Sequence, residues 1–248
     1  MRIFASLSDM LRSLLSRSAS TSRKPETGWH ENMPAADVFT RIYEEGTWGN
    51  SPDPTRRYFS GSGSASSKIV EPYVRAIESF LLSLERKPDV VDLGCGDFFV
   101  GSRIRALCDR YIACDIVVPL IRYNAERWRE MNVDFRVVDI THDPIPAGDV
   151  IVVRQVFQHL SNEQIVAALE KIVSSCRFLV VTEHLPRSKL FRPNLDKPAG
   201  PDIRLRINSG VVLTEPPFNL QATREEVLCE VAEYGGRIET TLFENPSA

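Results

Sequence analysis

Between residues 89 and 183 the hydrophobic period of this chain switches repeatedly, and no other feature restricts the fold as much. Short apolar runs predict strands over 90–93, 111–116, 133–139, 150–153 and 178–182. Stretches with helical spacing lie between them, over 100–107, 119–131 and 161–175. Strands that alternate with helices at this interval predict a parallel sheet covered on both faces, an α/β fold. Ser161 and Gln164 have the spacing of a capping box, which marks the start of the third helix.

The 248 residues, 43% of them apolar, suit one catalytic domain with an extension. We divide the chain into an extension over 1–35 and a domain over 36–248. Within the domain, 36–88 supplies a lid and helices, 89–183 the core, and 184–248 the later loops and a last strand. Residues 1–24 carry Ile3, Phe4, Leu7, Met10, Leu11, Leu14 and Leu15 at helical spacing, with Arg2, Arg12, Arg17, Arg23 and Lys24 against one acid, Asp9. This basic amphipathic segment reads either as an anchor to a membrane surface or partner, or as a terminal extension. The run Ser60 to Ser67 is either a linker or a lid, because glycines just before a helix can offer backbone N–H groups to an anion. Past residue 182 a Pro-rich stretch leads to a predicted helix over 223–234, stopped by Gly235 and Gly236, and to a strand over 237–243.

The five cysteines, Cys95, Cys108, Cys114, Cys176 and Cys229, are scattered without a CxxC pair, so neither a zinc site nor a disulfide framework is indicated. A reducing, cytoplasmic setting is expected, with peripheral contact at the inner membrane surface if residues 1–24 act as an anchor. A net charge of -3 without a basic stripe disfavours a nucleic-acid partner and favours a small one.

In an open parallel sheet, ligands bind beyond the carboxyl ends of the strands. Asp92 ends the first predicted strand and runs into Gly94-Cys95-Gly96-Asp97; Asp115 ends the second, Asp139 the third, and Arg154 follows the fourth. A dinucleotide fold would need a third glycine where Phe99 stands, which disfavours a pyrophosphate resting on the helix start. Asp115 suits either cofactor, since both carry a ribose diol.

At these residues the chain resembles the class I, Rossmann-like S-adenosylmethionine-dependent methyltransferases, over roughly residues 68–183. The resemblance implies a mostly parallel sheet with an antiparallel C-terminal strand, helices on both faces and an N-terminal helical extension. It implies that Asp92 and the Gly94 to Gly96 turn approach the methionine part of the cofactor, that Asp115 holds the ribose hydroxyls, and that Asp139 with Ile140 frames the adenine, with Cys95, Asp97 and Ile116 also at the cofactor. Trp48-Gly49, the Ser-Gly-Ser-Gly-Ser run, the Arg154 to Leu160 segment, Asn208 and Pro217-Phe218 also resemble a less-characterised bacterial subset, which favours the lid reading and brings Ser62 and Gly63 to the cofactor. Similar quinone O-methyltransferases carry two Glu where Gln155 and Gln158 stand here; amides are poor ligands for a hard cation, so no metal is expected.

A sulfonium methyl is already electrophilic, and the protein's task is alignment. For a hydroxyl acceptor a neutral histidine is a suitable base, with His159 the first candidate and His184 the second; His159 equally reads as a locally bonded structural residue. Arg154 is expected to orient an anionic group. Arg192, Asn194, Arg204, Arg206 and Asn208 form the expected substrate wall or, equally, a solvated loop. The acceptor is expected to be a small molecule or glycan, methylated on oxygen. A nicotinamide oxidoreductase and a non-catalytic interaction module are the competing readings.

Overall fold

The computed structural model describes residues 29–30 and 33–245; the amphipathic segment expected over 1–24 lies outside them. Helices α1 (Ala35–Glu44) and α2 (Ser67–Leu82) precede β1 (Val90–Leu93), α3 (Gly101–Ile104), β2 (Tyr111–Asp115), α4 (Val118–Arg127), β3 (Asp134–Val137), β4 (Gly148–Arg154), α5 (Asn162–Val173), β5 (Cys176–Pro186), β6 (Arg224–Glu233) and β7 (Gly236–Glu244). The strands form one sheet in the order β3-β2-β1-β4-β5-β7-β6. Strands β1 to β5 are parallel, and β7 enters antiparallel beside β5. The order reverses between β1 and β4, so a crevice opens where their carboxyl ends diverge.

Strand period decides which side chains meet which helix. Val91, Leu93, Ile112, Ile151, Val153, Leu179 and Val181 pack on one face with Ile165, Ala168, Leu169 and Ile172 of α5. Their neighbours Val90, Tyr111, Ala113, Val150, Val152, Phe178 and Val180 pack on the other face with Val70, Tyr73, Val74, Ile77, Phe80 and Leu81 of α2. The Ser161–Gln164 capping box starts α5.

The helix expected over 223–234 is instead β6, and Gly235 is the second residue of the Tyr234-Gly235 hairpin turn, at φ +77°, rather than a helix stop. The sheet thus ends in two antiparallel strands, not one. A register shift between Val227 and Cys229 explains the misreading. The bulge leaves consecutive Leu228 and Cys229 both packed on the core, which breaks the strand alternation and imitates helical spacing. Strand β5 runs on to Pro186, so His184 lies inside it opposite Ile238 rather than beyond its end.

Candidate active site

The carboxyl ends of β1, β2, β4 and β5 open on one cavity of about 560 Å³, a size that suits a nucleoside-class ligand with a second molecule beside it. Its wall holds all fourteen sequence candidates: Ser62, Gly63, Asp92, Gly94, Cys95, Gly96, Asp97, Asp115, Ile116, Asp139, Ile140, Arg154, His159 and His184.

The turn after β1 is held by close packing. Gly94 (φ +76°) and Gly96 (φ +56°) take left-handed backbone that side chains disfavour. A Cβ on Gly94 would collide with Val156 Cγ2, and one on Gly96 with Ser60 Oγ. The Gly94 and Cys95 amides both donate to the Cys114 carbonyl, which ties the turn to β2.

Asp115 accepts from the Gly96 amide through Oδ2 and the Val117 amide through Oδ1, both at 3.1 Å. Each oxygen keeps a second lone pair for a ligand. Burial raises its pKa to about 6, partly offset by those amides. Asp92 is raised to about 7 by burial, against a 2.9 Å hydrogen bond from Tyr111 Oη. Asp139 is more committed to its own turn, with Oδ1 taking the Thr141 amide and hydroxyl and Oδ2 facing His142 Nδ1 at 3.0 Å. It lies two residues beyond β3, which is shorter than the strand expected over 133–139.

Arg154 lies at the end of β4. Its Nη2 donates to the Gly63 carbonyl at 2.7 Å and its Nη1 to Ser64 Oγ at 3.1 Å, which fixes the Ser-Gly run over the cavity. Its buried Nε has no partner, and among the described residues no carboxylate lies within ion-pair distance. Burial lowers its pKa.

His159 is buried. Its Nδ1 lies 3.1 Å from the Gly200 carbonyl, an acceptor only, so Nδ1 carries the proton. Nε2 is then the lone-pair nitrogen, 3.3 Å from the Gln158 amide nitrogen. Burial, with the charge of Lys197 next, pushes its pKa down to about 4, so the ring is neutral near pH 7. His184 donates through Nε2 to the Glu233 carbonyl at 3.1 Å.

Residues of the expected substrate wall separate. Arg206 lines the cavity beside Pro201, Asp202, Ile203 and Leu205; Arg192, Asn194, Arg204 and Asn208 do not. Asn194 is buried and bonds backbone groups of Val212, Glu215 and Pro216. Arg204, 1% exposed, braces the turn after β4 by donating to the Phe157 and Leu160 carbonyls and to Asn162 Oδ1. Sequence alone hides this, because a brace and a binding arginine look alike until their partners are known.

Several contacts of the site carried no local signal, including those of Trp48 and Ser60, whose motifs were legible but whose partners were not. Arg56 pairs with Asp97 at 2.5 Å and covers the Phe99 ring at 4.2 Å, while Ser60 Oγ accepts from the Asp97 amide. Phe39 and Trp48 lie against the His159 ring, Trp48 at 5.1 Å. Such contacts join residues far apart in the chain, beyond the reach of periodicity.

Glu183 is buried behind the site, and neither carboxylate oxygen has a partner at hydrogen-bond distance, the Phe157 and Gln158 amides pointing at it from farther away. Burial pushes its pKa up to about 8, against the Arg204 charge and the Phe157 and Gln158 amides. An acid neutral when folded and ionised when unfolded stabilises the fold fully below the ordinary carboxylate range. That contribution is lost as pH rises towards about 8. Glu183→Gln should therefore be nearly neutral at pH 5 and stabilising at pH 8 by at least about 1 kcal/mol, roughly 2–4 °C in Tm. Equal Tm differences at the two pH values would show that Glu183 ionises freely.

Residues 90–177 match the family model described as a methyltransferase domain. No curated protein sequence matches the chain. Among solved structures, the N-methyltransferase NodS from Bradyrhizobium japonicum WM9, in complex with S-adenosyl-L-homocysteine, is similar at a TM-score of 0.59 and 16% identity, over 83% of this chain and 99% of that one. Magnesium protoporphyrin IX methyltransferase from Synechocystis PCC 6803, with bound S-adenosylmethionine, is similar at 0.57 and 11% identity, over 86% and 98%. Human N-acetylserotonin methyltransferase, in complex with the same cofactor, is similar at 0.54 and 18% identity, over 86% and 60%. Taken with the sheet order and the glycine turn at the switch point, the match makes residues 90–177 a methyltransferase domain, and the chain folds as the class I S-adenosylmethionine-dependent methyltransferases do.

Proposed function

We propose that this methyltransferase transfers the methyl group of S-adenosylmethionine to an oxygen of a small-molecule or glycan acceptor, with His159 as the base. The observation that carries the reading is the division of the cavity: carboxylates and a glycine turn at the ends of β1 and β2, and a neutral histidine with a defined tautomer beyond β4. Magnesium protoporphyrin IX and N-acetylserotonin, which name two of the similar structures, are small molecules.

The residues fit the cofactor. Arg154 is a half-buried cation with no carboxylate within ion-pair distance among the described residues, suited to the cofactor's carboxylate. Asp115 keeps acceptor capacity for ribose hydroxyls, and Ile116 and Ile140 supply apolar surface for the adenine. Asp92 and the Gly94 to Asp97 backbone flank the methionine portion, with Ser62 and Gly63 closing from above. Bound there, S-adenosylmethionine supplies an electrophilic methyl on a positive sulfur.

The chain's own part is alignment and one proton. His159 Nε2 carries the lone pair, because Nδ1–H is held by the Gly200 carbonyl, and an acceptor hydroxyl would replace the Gln158 amide that lies 3.3 Å from it. An acceptor hydroxyl gives its proton to Nε2 as its oxygen bonds the methyl carbon. The cofactor would supply the methyl group and keep the electron pair of the S–C bond on its sulfur. Phe39 and Trp48 shield this end from water.

Two variants test the assignment. Asp115→Ala should weaken S-adenosylmethionine binding tenfold or more, since a charge-assisted hydrogen bond contributes about 1.5–3 kcal/mol; unchanged affinity by calorimetry would remove Asp115 from the ribose site. His159→Ala should lower turnover at saturating cofactor and leave cofactor affinity intact, whereas wild-type turnover would sink the base assignment.

A further inference from the structure

The segment that leaves β5, Arg187-Ser188-Lys189-Leu190-Phe191-Arg192, carries three cations and no acid. Both of its ends are tied to the fold. Arg237 Nη1 donates to the Pro186 carbonyl at 2.5 Å, and Ser209 Oγ donates to the Arg192 carbonyl at 2.8 Å. Between these ties the chain turns on Ser188, whose Oγ accepts from the Leu190 amide at 3.1 Å. Phe191 is half-buried, with the Arg237 guanidinium 5.9 Å from its ring. Leu190 is left at the tip, 92% exposed. Two further apolar side chains stand beside it in the open. Ile207, two residues before Ser209, is 45% exposed, and Tyr234, in the hairpin turn next to Pro186, is 53% exposed.

The charges of this face are unequal. Arg187, Lys189 and Arg192 are exposed, and among the described residues no carboxylate lies within ion-pair distance of them. The acids around the segment are paired: Asp202 with Arg206 at 2.9 Å, Glu233 with Lys68 at 2.6 Å, and Glu230 and Glu239 with Arg237. Asp196 and Glu215 are exposed on the flank of Asn194, behind the tied end of the segment, with Lys197 next to Asp196. Pairing leaves the first four little field of their own, and no acid interrupts the tip.

We propose that this face docks the protein on an anionic lipid surface, with Leu190 among the acyl chains and Arg187, Lys189 and Arg192 at the headgroups. An apolar tip flanked by cations gains twice there, from burial of the tip and from attraction to anionic lipid. Long basic side chains lay their stems along the apolar layer while their charges stay at the phosphates, and a tyrosine such as Tyr234 suits the same boundary. Arg206 and Tyr234 also line the cavity, so docking brings its mouth to the lipid. Other occupants fit the charges or the leucine, but not both. A second copy of the chain across a two-fold axis would set these cations against themselves. Residues 1–24, with five cations and one acid, would be repelled in the same way. A nucleic-acid strand would answer the cations and leave Leu190 in water.

Co-sedimentation of the full chain with vesicles tests the docking. The protein should pellet with vesicles of equal parts phosphatidylglycerol and phosphatidylcholine, and not with phosphatidylcholine alone. Lys189→Glu should lower the partition coefficient roughly tenfold or more, because one basic residue near an anionic surface contributes a factor of about five and the substitution reverses its charge. Leu190→Ser should lower it roughly fivefold or more through lost apolar burial. Both side chains are exposed, so neither variant should change Tm or the binding of S-adenosylhomocysteine. Partitioning of both variants like the unaltered chain overturns the proposal and assigns the contact to residues 1–24. Equal binding to neutral vesicles, or binding to neither kind, overturns it as well. Preference for an RNA oligomer over the anionic vesicles, unmoved by Leu190→Ser, would replace the lipid with a nucleic acid.

Discussion

Arg154→Met should lower S-adenosylmethionine affinity by roughly thirtyfold or more while leaving the ligand-free protein as stable as before, or more so. Truncating one partner of a buried hydrogen-bonded charge pair costs about 2–5 kcal/mol in binding. In the free protein the opposite sign applies. The guanidinium is desolvated, its Nε has no partner, and its remaining bonds reach only a carbonyl and a hydroxyl. Removing a half-buried charge that has no carboxylate within ion-pair distance among the described residues relieves desolvation that methionine, of similar length, does not incur, and methionine can keep the contact with the Tyr73 ring. Calorimetry and thermal melts on the same preparation separate the two effects. A parallel fall in Tm and affinity would mean that Arg154 serves as a brace for the Ser62–Ser64 turn and not as an anion site.

The second large effect is expected at Gly94. An alanine there must adopt φ near +76°, at a cost of about 1–2 kcal/mol for an L-residue. Its Cβ would also enter the volume of Val156 Cγ2, forcing β1's turn away from the loop after β4. That displacement moves the cofactor wall against the acceptor wall, and misplacement by about 1 Å can cost 100-fold in rate. Gly94→Ala should thus lose more than about 2 kcal/mol of stability, most of its cofactor binding and nearly all turnover. Adding Val156→Ala removes the clash but not the backbone strain, so the double variant should regain part of the stability in denaturant melts. Full stability of the single variant would show that the turn is slack.

The alternating core could be read from the sequence because its strands, apart from the exposed edge strand β3, are covered on both faces. Such strands appear as continuous apolar runs, as 90–93 and 150–153 do, and the helices between them keep a clear 3.6-residue period. The acids at the strand ends were legible for the same reason: once strands are placed, topology puts their carboxyl ends together. Strand β6 was not. It is an edge strand with one open side and a bulge, so its apolar residues answer to β7 and α2 rather than to a local period.

The sequence by itself determined the parallel α/β core, the glycine turn and the set of side chains that face the crevice. Those are consequences of short-range patterning, which repeats within a strand or a helical turn. Only the tertiary structure decided that Arg204 and Asn194 are braces, that Arg154 has no carboxylate within ion-pair distance among the described residues, that His159 holds its proton on Nδ1, and that Trp48 covers its ring. Charge, tautomer and burial depend on neighbours tens of residues away, and desolvation acts only once those neighbours have packed.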